Sequence, residues 1–501
     1  MNANVAFYAM ILIPLASAPL VYLAGRIQVR QGKKPWLSRW LSIISLLAGG
    51  IGLYFAAQGL MTGLTPTVKI GSIELALDGI GQLLAAVVIV LGLLAVLFSS
   101  TYMAGEEGEE KFYALLTAMI GTILGLGCTR DLFNRWVWFE AMAITSYMLV
   151  AFYRLQPASL EAGVKYLVQS ATGSVMVILG IALVLGRTGT LELAVIHVAA
   201  QSGDTWLLAA GALFLVGFGV KVALVPLHTW LPDAHSQAPS GISAMLSGIV
   251  IEAGLVAMLR ALGALTEVSQ VWGGLLMGAG ALNMLVGNLM ALRQQQIKRL
   301  LAYSSLSHVG YMLVGLGLAV TYGVQSGANG AFFHLFNHAM MKGLAFFAVG
   351  ALMYGMLVSR GIHKALEVKD LDGISRRYPG TAFVLSVALL SLGGLPPLAG
   401  FMSKWPIFIA GFQSRDWVGI SLVIFAALNS VLSLGYYAPL INRIYRHQPG
   451  ELALQGERLS LSMTIPLVLA GAIIVVLGFW PSLLNCLFDP AAASLMSLFG
   501  Q

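Results

Sequence analysis

Four lysines, Lys165, Lys221, Lys342 and Lys404, lie inside otherwise apolar stretches of this chain, together with Glu140, Glu252, His308, His334 and His338. An ionisable group at membrane depth costs roughly 3 kcal/mol or more, so it persists where it lines an ion or proton path. Lys221 stands five residues before Pro226, and Lys404 follows Pro396 and Pro397. Proline breaks a helix and frees backbone polar groups, which at membrane depth must be met by water or polar side chains. His334, His338 and Lys342 recur every four residues, so they share one helix face and form a stripe about 12 Å long at 1.5 Å per residue. Histidine relays protons near neutral pH. Two histidines four apart also suit zinc, but no acid or cysteine lies on the same face to complete the ligand set. The stripe, with His308 nearby, therefore reads as a relay whose members are spaced for bridging by one or two waters.

The elements that must hold these groups are membrane helices. The 501 residues are 58% hydrophobic and 10% charged, with a mean hydropathy of +0.85, where soluble domains carry about 25% charged residues. Apolar runs near 20 residues predict an all-α polytopic protein of about fourteen transmembrane helices. They fall near 5–25, 38–60, 79–103, 111–128, 131–153, 159–186, 206–237, 239–264, 270–292, 297–322, 328–356, 379–411, 418–442 and 461–481. No extended soluble domain fits between them. The first segment is too long, and too lightly charged in front, for a cleavable signal peptide. Cys128 and Cys486 are too few for a disulfide framework or an iron–sulfur cluster. The net charge of +7 needs no nucleic acid, because most of it falls in loops. The first connection carries Arg26, Arg30, Lys33, Lys34 and Arg39, which the positive-inside rule assigns to the cytoplasm. Alternating from there, Arg154, Arg293, Lys298, Arg299, Arg443 and Arg458 also fall inside, Arg135 and Arg260 outside, and both termini outside. The acidic run from Glu106 to Glu110 reads as a solvated cytoplasmic turn, with docking of a partner subunit as the other option.

Within this plan, residues 111–264 and 265–446 read as two five-helix units, preceded by 1–110 and followed by 447–501. The fourth helix of each unit is the proline-broken one, the seventh and twelfth of the chain. An odd number of helices per unit makes the second inverted relative to the first, and paired broken helices in inverted repeats point to an ion site at the midplane. Glu140, in WVWFEAMA (136–143), has no base within four positions on its helix. Its partner must come from elsewhere, and Lys221 is the leading candidate. A carboxylate beside a buried ammonium favours its charged form, whereas burial opposes it. Withdrawing the carboxylate's influence would then free the proton.

Four motifs carry a family resemblance. KVALVPLHTWLPDAHSQAP (221–239), AYSSLSH (302–308), FHLFNHAMMK (333–342) and GLPPLAGFMSK (394–404) resemble the signatures of the antiporter-like membrane subunits of respiratory complex I. The same family includes subunits of multisubunit cation/proton antiporters and of energy-converting membrane hydrogenases. The resemblance spans roughly 80–450. It implies a proton-translocating subunit of a redox-driven complex in a prokaryotic cell membrane, with the Glu140–Lys221 pair as its core. Lys165 and Glu252 would flank that pair, His308, His334, His338 and Lys342 would connect, and Lys404 would form the far gate. It also implies that this chain holds no cofactor, with flavin, iron–sulfur clusters and quinone in partner subunits. Expected neighbours are antiporter-like paralogues and a quinone-site or hydrogenase-like arm, and the ion moved is the proton, with sodium left open. The alternative is a subunit of a multisubunit sodium/proton antiporter without a redox arm.

Two places sharpen the expectations. Many relatives carry lysine where this chain has Glu252, in SGIVIEAGL (247–255), so the link from Lys221 to the second unit is altered in charge. His228, Asp233 and His235 follow the Pro226 break, and Pro226, Pro232 and Pro239 make them part of a rigid turn, in a structural or relay role. Lys165 sits early in its helix, either in the relay or reaching its head group to the membrane surface.

Overall fold

A computed structural model describes residues 2–71, 73–200, 202–266, 271–362 and 364–501. Inside a bilayer only a helix or a closed barrel satisfies its own backbone, and the apolar runs fold accordingly. In chain order the helices are α1 (Ala3–Arg30), α2 (Trp36–Met61), α3 (Gly79–Tyr102), α4 (Glu109–Cys128), α5 (Leu132–Val150), α6 (Pro157–Thr188), α7 (Leu193–Ala199), α8 (Thr205–Val222), α9 (Trp230–Gln237) and α10 (Ser240–Met245). A π-helical turn, Leu246–Val250, leads directly into α11 (Ile251–Gly263). There follow α12 (Val271–Ala291), α13 (Ile297–Tyr322), α14 (Gln325–Met356), α15 (Pro379–Gly393), α16 (Ala399–Gln413), α17 (Trp417–Arg446), α18 (Glu451–Leu454), α19 (Leu461–Phe479) and α20 (Asn485–Leu498). A small antiparallel hairpin, β1 (Thr67–Ile70) and β2 (Ile73–Ala76), pairs Thr67 with Ala76 between α2 and α3.

Twelve helical stretches among the described residues are long and apolar enough to cross a membrane, α10 and α11 counting as one. The other two expected segments take different forms. α5 has 19 residues but carries Arg135 and Glu140. The run expected over 379–411 is split into α15 and α16, of 15 residues each. The chain is thus an all-α polytopic membrane protein.

Scarce acids are spent on helix starts: Asp78, Asp131, Asp204 and Asp416 each accept a bond from a first-turn N–H, the usual work of an N-cap carboxylate. The most apolar stretch of α14 is 94% buried against 28% for α17, and that of α10–α11 is fully buried. α10–α11, α13 and α14 therefore make the core around which the others are arranged. α12 backs α13 closely at Gly280 and Gly310, where a Cβ on either would fall 2.6–2.7 Å from the other's carbonyl oxygen. Small residues permit this approach where no hydrophobic force drives helices together.

The charged residues depart from the loop reading in several places. Glu109 and Glu110 are buried and paired with Arg39 (2.6 Å) and Arg26 (3.5 Å), and Glu107 pairs with Arg154. Glu109 and Glu110 thus clamp the α1–α2 hairpin onto α4, while Glu107 stays exposed as a solvated turn would have it. Lys298, Arg135 and Arg260 are buried too. Arg260 makes a two-pronged pair with Asp78 at 2.6 and 2.7 Å and also holds Gly127 O, tying α11 to the start of α3 and the end of α4.

Candidate functional site

Both broken helices end in the same local plan. α8 stops at Val222, Ala223 adopts a left-handed φ of 60°, and the chain turns through a cis Val225–Pro226 bond before α9. α15 stops at Gly393, Gly394 has φ 78°, and a cis Pro396–Pro397 bond precedes α16. Polar side chains take up the freed backbone groups. Asn283 accepts from Val225 N (2.8 Å) and donates to Ala223 O (3.3 Å), and Trp230 donates to Val220 O (2.8 Å). At the second break Ser430 donates to Gly393 O (3.1 Å). A helix C-terminus carries partial negative charge, and a lysine stands near each one. Lys221 lies in the last turn of α8, and Lys404, from α16, donates to Leu392 O in the last turn of α15 at 3.1 Å.

The surroundings of Lys221 differ from expectation. Its ammonium is buried and donates to Tyr166 Oη (2.9 Å) and Ser170 Oγ (3.1 Å) on α6. It sits 4.4 Å from the centre of the Tyr166 ring, which is stacked face to face on Trp230 at 4.0 Å. Aromatic faces stabilise a desolvated cation. The contact expected between Glu140 and Lys221 is absent. No hydrogen bond or ion pair joins the two, and Glu140 Oε1 is buried with no hydrogen-bond partner. Two hydroxyls and an aromatic box hold the ammonium instead.

In the core, Glu252 and His338 are both fully enclosed, with Glu252 Oε1 2.8 Å from His338 Nδ1. Glu252 Oε2 and His338 Nε2 have no partner. The π turn just before Glu252 adds a residue to the helix ladder, a feature common at functional sites. α11 also touches Lys221, since a Cβ at Gly254 would lie 3.0 Å from Lys221 Cγ. The two polar heads nevertheless diverge, Lys221 toward α6 and Glu252 toward α14. The carboxylate is thus bonded to the second half of the chain, not to Lys221.

From His338 the polar groups continue by direct contact. The His308 ring stacks on His338 (5.2 Å) and on His334 (5.1 Å), and His308 Nδ1 lies 2.9 Å from His334 Nε2. His334 Nδ1 is 2.8 Å from Ser403 Oγ, which donates to Ala399 O. Ser403 Oγ is also within hydrogen-bond distance of Gly400 O, so the His334 ring can donate to Ser403 or accept from it according to its tautomer. The direction of the His308–His334 bond switches with that tautomer. Ser403 adjoins Lys404, whose ammonium donates to Ser430 Oγ (2.9 Å) and lies 4.5 Å over the Tyr311 ring. Tyr311 in turn sits about 6 Å, ring to ring, from both His308 and His334. Lys342 donates to Leu301 O (2.8 Å) and to Ser304 Oγ. Of these histidines, His308 and His334 share a hydrogen bond, while His308 meets His338 through ring stacking alone.

Lys165 stands apart, 48% exposed, paired with Glu161 (2.7 Å) and Asp233 (3.1 Å), while Arg299 also pairs with Asp233. This network ties α6, α9 and α13 together near the opening of the first break. His228 is partly buried with Nδ1 unpartnered. His235 is enclosed, stacked on Phe346 at 4.8 Å, and neither of its ring nitrogens has a partner. Lys298 donates to Ala238 O at 2.8 Å. Among the described residues no three His, Cys, Asp or Glu side chains gather as a metal ion would require.

Several participants were not read from the sequence. Tyr166 and Ser170 lie one and five residues beyond Lys165, Tyr311 lies three beyond His308, and Ser403 adjoins Lys404. Only Tyr311 carried a usable signal, standing three positions from His308 and so on the same helix face; for Tyr166, Ser170 and Ser403 spacing gave none.

Comparison with known proteins agrees with this geometry. The family described as NADH:quinone oxidoreductase/Mrp antiporter, transmembrane, matches residues 129–430. The NADH-quinone oxidoreductase subunit N of Trichlorobacter lovleyi is 34% identical over 490 residues, covering 96% of this chain and 95% of that one. A chain of the membrane-bound sulfane sulfur reductase, an archaeal respiratory membrane complex, superposes with a TM-score of 0.86 at 30% identity over 99% of both chains. A chain of the Mrp complex from Dietzia shares the fold, with a TM-score of 0.85 at 21% identity over the whole of both chains.

Proposed function

As the chain belongs to the NADH:quinone oxidoreductase/Mrp antiporter membrane family, we propose that it is the proton-translocating membrane subunit of a redox-driven complex. The observation carrying this reading is the placement of two buried ammonium groups, each at the end of a half-helix, with a directly bonded Glu252–His338 pair and a His308–His334–Ser403 chain between them. Half-helix ends that hold cations at a break are the plan of alternating-access ion sites. In this scheme Lys221 exchanges its proton under the through-space influence of Glu140, and its hydroxyl partners accept or return it. Glu252 and His338 pass charge to the second half, His308 and His334 hand it on by tautomer exchange, and Lys404 is the far gate, with Lys342 holding the far side of the stripe. Lys165 stabilises the opening of the first half. Redox chemistry, with its flavin, iron–sulfur clusters and quinone, belongs to partner subunits of the complex. An NADH-quinone oxidoreductase subunit and a chain of a sulfane sulfur reductase complex among the relatives support the redox reading, while the Dietzia likeness concerns the fold alone.

The test is Lys221→Met in the assembled complex. Methionine keeps the length of the side chain and loses the charge, so assembly should be unchanged and proton transport coupled to electron transfer should fall at least tenfold, about 1.4 kcal/mol on the barrier. Wild-type transport by a normally assembled variant would reduce Lys221 to a structural cation. Both termini are placed outside the cytoplasm on the strength of the basic first connection. A periplasmic-active reporter fused after Gln501 should be active, and a cytoplasmic-active one silent. The reverse result would remove the inverted relation between the two units.

A further inference from the structure

On the outer face of the bundle, α15 and α19 leave a groove of about 790 Å³. Its walls are apolar: Phe383, Val384 and Val387 from α15 face Leu467, Val468 and Ala472 from α19. One end is cationic. Arg377 stands just before the start of α15, and Arg458 just before the start of α19. Arg377 is held by Gly456 O at 2.6 and 3.2 Å, whereas Arg458 is exposed and has no hydrogen bond or ion pair among the described residues. Neither helix start is closed by a side-chain cap, so two positive helix ends add to the two guanidinium groups.

The dimensions match one half of a membrane. From Thr464 to Val475, both lining residues, α19 runs roughly 16 Å at 1.5 Å per residue, about half of a 30 Å hydrocarbon core. A cationic end at the level of the helix starts, opening onto an apolar trough one leaflet deep, has the polarity of a phospholipid. We propose that this groove binds a single anionic phospholipid, its phosphate against Arg377 and Arg458 and one acyl chain laid between α15 and α19. Basic pockets between membrane helices on the positively charged side hold anionic head groups in this way. The site stands against the half-helix whose other end meets Lys404, and α19 also packs on α14. The lipid would therefore brace the α15 half of the second break from the side facing the bilayer.

The experiment uses the intact complex, stripped of lipid in detergent and then titrated with phosphatidylglycerol or phosphatidylcholine, with bound lipid counted by native mass spectrometry. The wild type should retain one phosphatidylglycerol in preference to phosphatidylcholine. Arg458→Gln, at an exposed residue with no structural bonds, should weaken that retention roughly fivefold, the effect of one basic residue at an anionic surface. Ala472→Trp, which fills the trough, should abolish it. Equal retention of both lipids, or retention unchanged in both variants, would overturn the proposal. So would quantitative cross-linking of an Ala472→Cys groove to a neighbouring subunit, which would make the trough a protein interface.

Discussion

Replacing Glu252 by glutamine separates titration from packing more cleanly than any other change in the core. Glutamine keeps the length of the side chain and one acceptor oxygen, so the 2.8 Å bond from His338 Nδ1 can persist. The cost to stability is then about 1 kcal/mol or less, the net worth of a single hydrogen bond. Glutamine cannot gain or lose a proton. If charge crosses between the halves at this pair, it must then cross without a titrating group, and an unpaired charge in that enclosure costs several kcal/mol. Even about 3 kcal/mol on the barrier slows transport on the order of 100-fold. The assay is acidification of inverted membrane vesicles driven by the complex's own electron donor, normalised to the amount of assembled complex and run beside uncoupled electron transfer. Glu252→Ala is the control. It removes the acceptor, orphans a buried nitrogen at about 1–3 kcal/mol, and leaves a cavity, so assembly should suffer as well. The expected order is therefore glutamine assembled and silent, alanine poorly assembled. A glutamine variant that moves as many protons per electron as the wild type would place Glu252 off the path.

Two further expectations test the surroundings. Tyr166→Phe keeps the stack on Trp230 but removes the hydroxyl that accepts from Lys221, so transport should slow several-fold, roughly 1 kcal/mol on the barrier, with normal assembly. Transport at the wild-type rate would show that the hydroxyl plays no part in holding the proton. Arg260→Gln breaks the two-pronged pair with Asp78 far from the stripe. Removing one partner of a buried pair costs about 3–5 kcal/mol, so the chain should fall in abundance on immunoblots of membranes, while whatever complex assembles should pump at the normal ratio.

How much of this was legible in the sequence depends on what each residue's type can say. The ionisable groups in apolar runs announced themselves, because their desolvation cost is a property of composition, and the broken helices followed from Pro226, Pro396 and Pro397. Which groups touch was not legible. Glu140 and Lys221 are opposite charges on neighbouring helices, yet helix rotation gives the ammonium to Tyr166 and Ser170. The direction of Glu252 is set within a helix whose π turn no periodicity announces. Adjacent charges also misled. In QQQIKRL (294–300) Lys298 and Arg299 read as one loop cluster, but consecutive helix positions point about 100° apart. One therefore enters the core to bond Ala238 O while the other reaches Asp233. Likewise Glu109 and Glu110 read as solvated because their partners, Arg39 and Arg26, lie on other helices.

The carboxylate at position 252 has a physical rationale that the local sequence does not convey. The groups in the core beside it are bases: His338, His308 and His334, with Lys342 and Lys404 beyond. Among the described residues the fully buried acids are Glu109, Glu110 and Glu252, and the first two are neutralised by arginines. Glu252 is thus the acid available to a chain of buried bases, with His338 Nδ1 2.8 Å from its Oε1. A buried charge is tolerable when paired and bonded, so the pair can accept a proton as a histidinium carboxylate where a lone histidine in that enclosure could not. A lysine at 252 would supply another desolvated cation and no counter-charge. The acid and the histidine that faces it are therefore best regarded as one titrating unit, which is why a change at either member should be read against the state of the other.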